Sequence, residues 1–170
     1  MKKRIVEIKA RIADLDETRE GLTKLGASPA GTVHQRDTYF NTPRGRLKLR
    51  QAAETEEATL IYYRREDVSG PKRSDVTLLE IPEPSLFQEL FEEALGVKAV
   101  VTKRREVFNL RGVEVHLDEV DGIGTFLEFE VETDPSEERE DLGERLVELM
   151  GELGVRMESL MKGSYSDMES

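Results

Sequence analysis

Short segments of this chain alternate apolar and ionic residues with a period of two. In VEIKARI, Val6, Ile8, Ala10 and Ile12 alternate with Glu7, Lys9 and Arg11. In GRLKLR, Leu47 and Leu49 oppose Arg46, Lys48 and Arg50. LIYYRR groups Ile61, Tyr63 and Arg65 against Leu60 and Tyr62. VVTKRRE groups Val101, Lys103 and Arg105. VEVHLDEV sets Glu114, His116 and Asp118 against Val113, Val115 and Leu117, and FLEFEVE sets Glu128, Glu130 and Glu132 against Leu127, Phe129 and Val131. Side chains at i and i+2 share a face of a β-strand, so each segment reads as a strand with one apolar and one ionic side. RDTYFN reads as a further strand. Arg111-Gly112 and Asp121-Gly122 are hairpin signals, which makes the C-terminal strands antiparallel neighbours.

The apolar faces need a cover, and amphipathic helices supply one. Leu15, Leu22 and Leu25 recur near helical spacing ahead of a stop at Gly26. A second helix is expected over Ser85–Leu95, a third from about Ser136 to Glu152, and a short one around Met157–Met161. The class is α+β. The chain has 170 residues, no internal repeat and no dividing linker, so residues 1–170 read as a single domain.

The ionic faces admit two readings. They are the solvated side of an open antiparallel sheet, or they line an enclosed space. Two features favour the second. The signs are sorted by strand, whereas a surface shaped for solubility mixes them. The basic strands are also rich in Arg, which grips phosphate oxygens with a bidentate fork. An enclosed space with this many charges must hold water, a polyanion on its basic side and a cation on its acidic side, because unpaired buried charge is costly.

The net charge is −11, which argues against non-specific nucleic-acid binding. There is no cysteine, hence no disulfide framework and no thiolate metal site. No apolar run is long enough for a signal peptide or a membrane span, so a cytoplasmic protein without a membrane partner is expected.

VEIKAR, DTYF, GRLKLR, LIYYRRED, GPKRSD, VTKRREVF, VEVHLDEVDGIGTFLEFE and GSYSD follow one another over nearly the whole chain. In this the sequence resembles the CYTH domain, or triphosphate tunnel metalloenzyme, and within that family the class IV adenylate cyclase-like branch. The resemblance implies a closed antiparallel eight-stranded β-barrel, a triphosphate tunnel, with helices packed outside. It implies metal ligands at Glu7, Asp118, Glu128 and Glu130. It implies substrate contacts from Lys9, Arg11, Arg46, Lys48, Arg50, Arg65, Lys72, Lys103 and Arg105, with Glu7, Lys9, Glu128 and Glu130 catalytic. One departure stands out: where the family's motif often carries its first glutamate, this chain has Ile5.

The cofactor expected is Mg²⁺ or Mn²⁺, since carboxylates are hard oxygen ligands. The substrate is expected to be a small molecule bearing a triphosphate, such as ATP or inorganic triphosphate; a homodimer is an open alternative. Three activities share such a cradle: hydrolysis of the terminal phosphate, placed first; cyclisation of ATP to cyclic AMP and pyrophosphate; and triphosphate or polyphosphate binding with little turnover. Among the remaining residues, His116 reads as a hydrogen-bonded wall residue, Tyr39 as packing, Tyr63 as ligand contact or packing, Glu132 as solvent-exposed, and Lys162 as either a closure over the tunnel mouth or plain surface.

Overall fold

The computed structural model describes residues 1–134, 136 and 141–168. Eight strands are present: β1 (Lys2–Arg11), β2 (Ser28–Phe40), β3 (Arg46–Ala52), β4 (Ala58–Arg65), β5 (Lys72–Ile81), β6 (Val97–Leu110), β7 (Val113–Val120) and β8 (Gly124–Thr133). They close into a barrel in the order β1-β5-β4-β3-β2-β6-β7-β8, with β8 returning to β1, and every pairing is antiparallel. Closure leaves no free sheet edge.

Three helices cover the outside: α1 (Leu15–Lys24), α2 (Pro84–Leu95) and α3 (Asp141–Glu152). Asp14 caps α1 by accepting hydrogen bonds from the Asp16 and Glu17 amides at 2.9 and 3.1 Å, and Gly26 follows the helix at φ 89°. The main apolar core lies between helix and barrel wall, not inside the barrel. Leu142, Leu146, Leu149 and Met150 of α3 and Leu22 of α1 pack on Val6, Ile8, Ala10, Val115, Leu117, Leu127 and Phe129. On the opposite wall Phe87 and Phe91 of α2 cover Phe40, Leu49 and Ala58. On β1, β3, β7 and β8 the apolar set faces outward under a helix and the ionic set inward, whereas β4 turns Ile61 and Tyr63 inward beside Arg65.

Three expectations need correcting. The strand β5 lies in a stretch that period-two reading passes over. Its inward set is Lys72, Ser74, Val76 and Leu78 and its outward set Arg73, Asp75, Thr77 and Leu79, so both faces are mixed. The strand read at RDTYFN starts earlier, at Ser28. The short C-terminal helix is only a 3₁₀ turn at Met157–Ser159, and a second follows at Tyr165–Asp167. Helix α3 is described from Asp141; of the expected earlier part, Ser136 lies in a turn and residues 137–140 lie outside the described residues. The hairpin at Arg111-Gly112 has both residues at positive φ, 52° and 80°, and joins β6 to β7. Among the described residues no helix is long and apolar enough to cross a membrane.

Candidate functional site

The register turns one ladder of side chains per strand into the barrel. On β1 these are Lys3, Ile5, Glu7 and Lys9, and their neighbours on β8 are Glu132 beside Ile5, Glu130 beside Glu7 and Glu128 beside Lys9. On β3 Lys48 and Arg50, and on β6 Lys103 and Arg105, supply positive charge from the far wall. Together they line a cavity of about 710 Å³, its open mouth included.

Asp37 of β2 is the hub of the basic wall. It is fully buried and accepts from Arg50 Nε and Nη2 at 2.8 and 2.7 Å, from Lys48 Nζ at 2.9 Å and from Lys103 Nζ at 3.1 Å. Burial opposes its charge, but Arg50, Lys103 and Lys48 hold its carboxyl well below the usual range. Arg50 and Lys48 outweigh the one carboxylate even though burial pushes the pKa of Lys103 well down, so the group is positive, which suits a polyanion.

The acidic wall is built differently. Glu128 accepts from Lys9 at 3.0 Å, lies 2.9 Å from His116 Nδ1, and has Arg105 Nη2 at 3.6 Å. Despite burial, Lys9, His116 and Arg105 keep it ionised well below the usual carboxyl range. Glu130 feels His116, Arg105 and Lys3 only at longer range. Among the described residues no hydrogen bond or ion pair reaches its half-buried carboxylate, and burial and Glu128 together push its pKa up. Ligand atoms of His116, Glu128 and Glu130 lie within 4.8 Å of one another. An enclosed carboxylate without a partner, beside a second carboxylate, fits a divalent cation.

The C-terminal segment crosses one end of the barrel. Leu160 bridges to Ala10, and the Met161 amide donates to the Lys9 carbonyl at 2.8 Å. Tyr165 packs on Phe126 and Val101, and its hydroxyl donates to Asp118 at 2.8 Å. Ser164 Oγ lies 2.7 Å from the Tyr63 hydroxyl and accepts from Arg65 at 3.0 Å. Asp167 takes Arg46 at 2.8 Å and Lys98 at 3.1 Å. Ser164 and Tyr165 form part of the cavity lining.

Of the residues singled out in the sequence, Glu7, Lys9, Lys48, Arg50, Arg65, Lys103, Arg105, Glu128 and Glu130 line this one cavity. The other four are engaged elsewhere. Arg11 is exposed; it lies over the Phe126 ring at 4.8 Å and donates to the Ile123 carbonyl at 3.0 Å. Arg46 is tied to Asp67 and Asp167, and Lys72 donates to the Met161 carbonyl. Asp118 is gripped by Arg105 through two bonds of 2.7 Å. Glu7 lines the cavity while paired with Arg65. His116 is a wall residue with both ring nitrogens near carboxylates, Glu128 and Glu114. Tyr39 and Tyr63 both reach the cavity, and Lys162 is exposed. Asp37, Ser164 and Tyr165 fall within DTYF and GSYSD, but the sequence assigns no role to them or to Ser74.

Lys48 is poised near neutrality. Burial first, and Arg50 second, bring its pKa down to about 8 against the pull of Asp37. Affinity for tripolyphosphate should therefore fall as pH rises from 7 to 9, by up to roughly tenfold, as this ammonium loses its proton. The ligand-free protein should respond in the opposite sense. Its Lys48 binds protons less readily than an unfolded lysine, so stability rises between pH 8 and the unfolded pKa of 10.5. Calorimetric titration at several pH values checks this, and Lys48→Met should lessen the pH dependence without abolishing it, because burial also brings Lys72 down to about 8 and pushes Lys103 down.

Comparison with known proteins agrees with this geometry. Residues 3–165 match the CYTH domain. A protein of Methanocaldococcus jannaschii named as a candidate adenylate cyclase is 29% identical over 177 residues, covering 96% of this chain and 97% of that protein. The adenylate cyclase CyaB of Aeromonas hydrophila is 27% identical over 168 residues, covering 94% of this chain and 85% of that protein. The solved structure of the PH1012 protein of Pyrococcus horikoshii superposes with a TM-score of 0.86 at 25% identity, covering 98% of this chain and 99% of the other.

Proposed function

Because the chain belongs to the CYTH domain family, we propose that it is a metal-dependent enzyme acting on a triphosphate held in the barrel cavity, and that it hydrolyses the terminal phosphate. The observation that carries this reading is the pairing of a net positive wall around Asp37 with an unpartnered carboxylate at Glu130.

Lys48, Arg50, Lys103 and Arg105 bind the phosphate oxygens and neutralise charge that shifts onto them as the bond breaks. Their geometry is set beforehand: Asp37 orients three of them, and Asp118 holds Arg105 in a fixed fork. Glu130 and Glu128 would hold the Mg²⁺ or Mn²⁺, with Glu7 next to Glu130 on the adjoining strand. Such a cation would supply Lewis-acid polarisation of a phosphoryl oxygen. Lys9 and His116 keep Glu128 charged and oriented.

A second reading is cyclisation of ATP to cyclic AMP and pyrophosphate, favoured by the adenylate cyclase names of two relatives. Incubation of ATP and of inorganic triphosphate with Mg²⁺ and with Mn²⁺ separates the readings by product. Orthophosphate from either substrate is the expected result. Cyclic AMP with pyrophosphate would replace hydrolysis by cyclisation, and tight binding with no product would make the protein a triphosphate-binding module.

A further inference from the structure

Tyr165, in the GSYSD stretch, reaches the cavity from the 3₁₀ turn at Tyr165–Asp167 and is 3% exposed. Its ring lies under the Lys9 ammonium, with Nζ 3.9 Å from the ring centroid, while Lys9 holds Glu128 at 3.0 Å. Lys103 is farther from the same ring, at 5.6 Å. The Tyr165 hydroxyl donates to Asp118 Oδ2 at 2.8 Å, and Asp118 in turn takes the Arg105 fork through two bonds of 2.7 Å. Phe126, 4.8 Å away, packs around the ring with Ala99, Val101 and Val120, so the side chain has little room to swing.

The chemistry of this contact suits a site that must stay positive. Lys9 already faces one carboxylate, Glu128, and a second acid in place of the ring would cancel its pull on a phosphate. An aromatic face attracts the ammonium through its quadrupole and adds no negative charge. The hydroxyl acts in the same manner at one remove. It gives Asp118 a neutral donor, so the carboxylate that holds Arg105 is fixed from two directions and no further charge enters the cavity. Cations set in place beforehand need no reorganisation when the anion arrives.

We propose that Tyr165 is a positioning residue for the triphosphate: its ring seats Lys9, and its hydroxyl, through Asp118, sets the direction of Arg105. One side chain thereby fixes the spacing between a cation of β1 and a cation of β6. The inference rests on the reading that the cavity holds a triphosphate.

The test is calorimetric titration of inorganic tripolyphosphate in EDTA, which gives the affinity and the fraction of binding-competent molecules separately. Tyr165→Phe keeps the ring and loses the hydroxyl; it is expected to bind about threefold more weakly. Tyr165→Leu loses both and is expected to bind about 20-fold more weakly, so that phenylalanine rescues most of the leucine loss. A residue that only holds the fold together would lower the competent fraction and the melting temperature while leaving the affinity of the competent molecules unchanged, and that result would overturn the proposal. Tyr165→Phe binding as tightly as the unaltered protein would overturn it as well, and this variant decides alone if Tyr165→Leu does not fold. Either result leaves the triphosphate reading intact, whereas no binding by the unaltered protein would overturn both.

Discussion

Glu130→Gln is expected to abolish metal-dependent release of phosphate, lowering the rate by about 100-fold or more, while leaving the protein as stable as before or more so. The first effect follows from removing a charged oxygen ligand from a site whose catalysis is electrostatic. The second follows from the surroundings of Glu130. Its pKa is raised by burial and by Glu128, so in the folded protein its charged form is disfavoured. A group of that kind detracts from stability at neutral pH and is relieved on protonation. Glutamine is the neutral counterpart in shape. Thermal unfolding with and without Mn²⁺ makes the result specific: Mn²⁺ should raise the midpoint of the unaltered protein and not that of the variant. An active Glu130→Gln enzyme, or one still stabilised by Mn²⁺, would remove Glu130 from the metal site.

Asp37→Ala should be among the most damaging substitutions in the chain. It leaves Lys48, Arg50 and Lys103 without their shared acceptor, in a wall largely withdrawn from solvent. Breaking a buried charge pair from one side costs about 3–5 kcal/mol. For a domain of this size that is a fall in thermal midpoint on the order of 10 °C. Tripolyphosphate should restore much of the loss, and should stabilise the variant by more degrees than it stabilises the unaltered protein, because the anion replaces the missing carboxylate. A variant that melts at the original temperature would mean that the three cations are solvated well enough to need no internal counter-charge.

Strand alternation made much of this site legible before any fold was known. Lys9, Arg50, Lys103 and Glu130 come from four strands, yet each lies on the ionic side of a period-two pattern, and the barrel turns those sides inward. Other features leave weaker marks. Asp37 is a single acid after Arg36 in RDTYF, and its importance comes from two other strands arriving beside it. The strand β5 mixes polar and apolar residues on both faces because its inner face changes from Lys72 to Val76 and Leu78 along its length. The C-terminal segment has no periodicity at all. Its contacts with Tyr63, Arg65 and Asp118 cross about 50 to 100 positions of sequence, a distance over which local pattern carries no information.

That segment also couples distant parts of the wall. Ser164 and Tyr165 line the cavity and are hydrogen-bonded to Arg65 of β4 and to Asp118 of β7, two strands that do not pair with each other, so a change in this one turn of chain would be felt on both sides of the barrel at once.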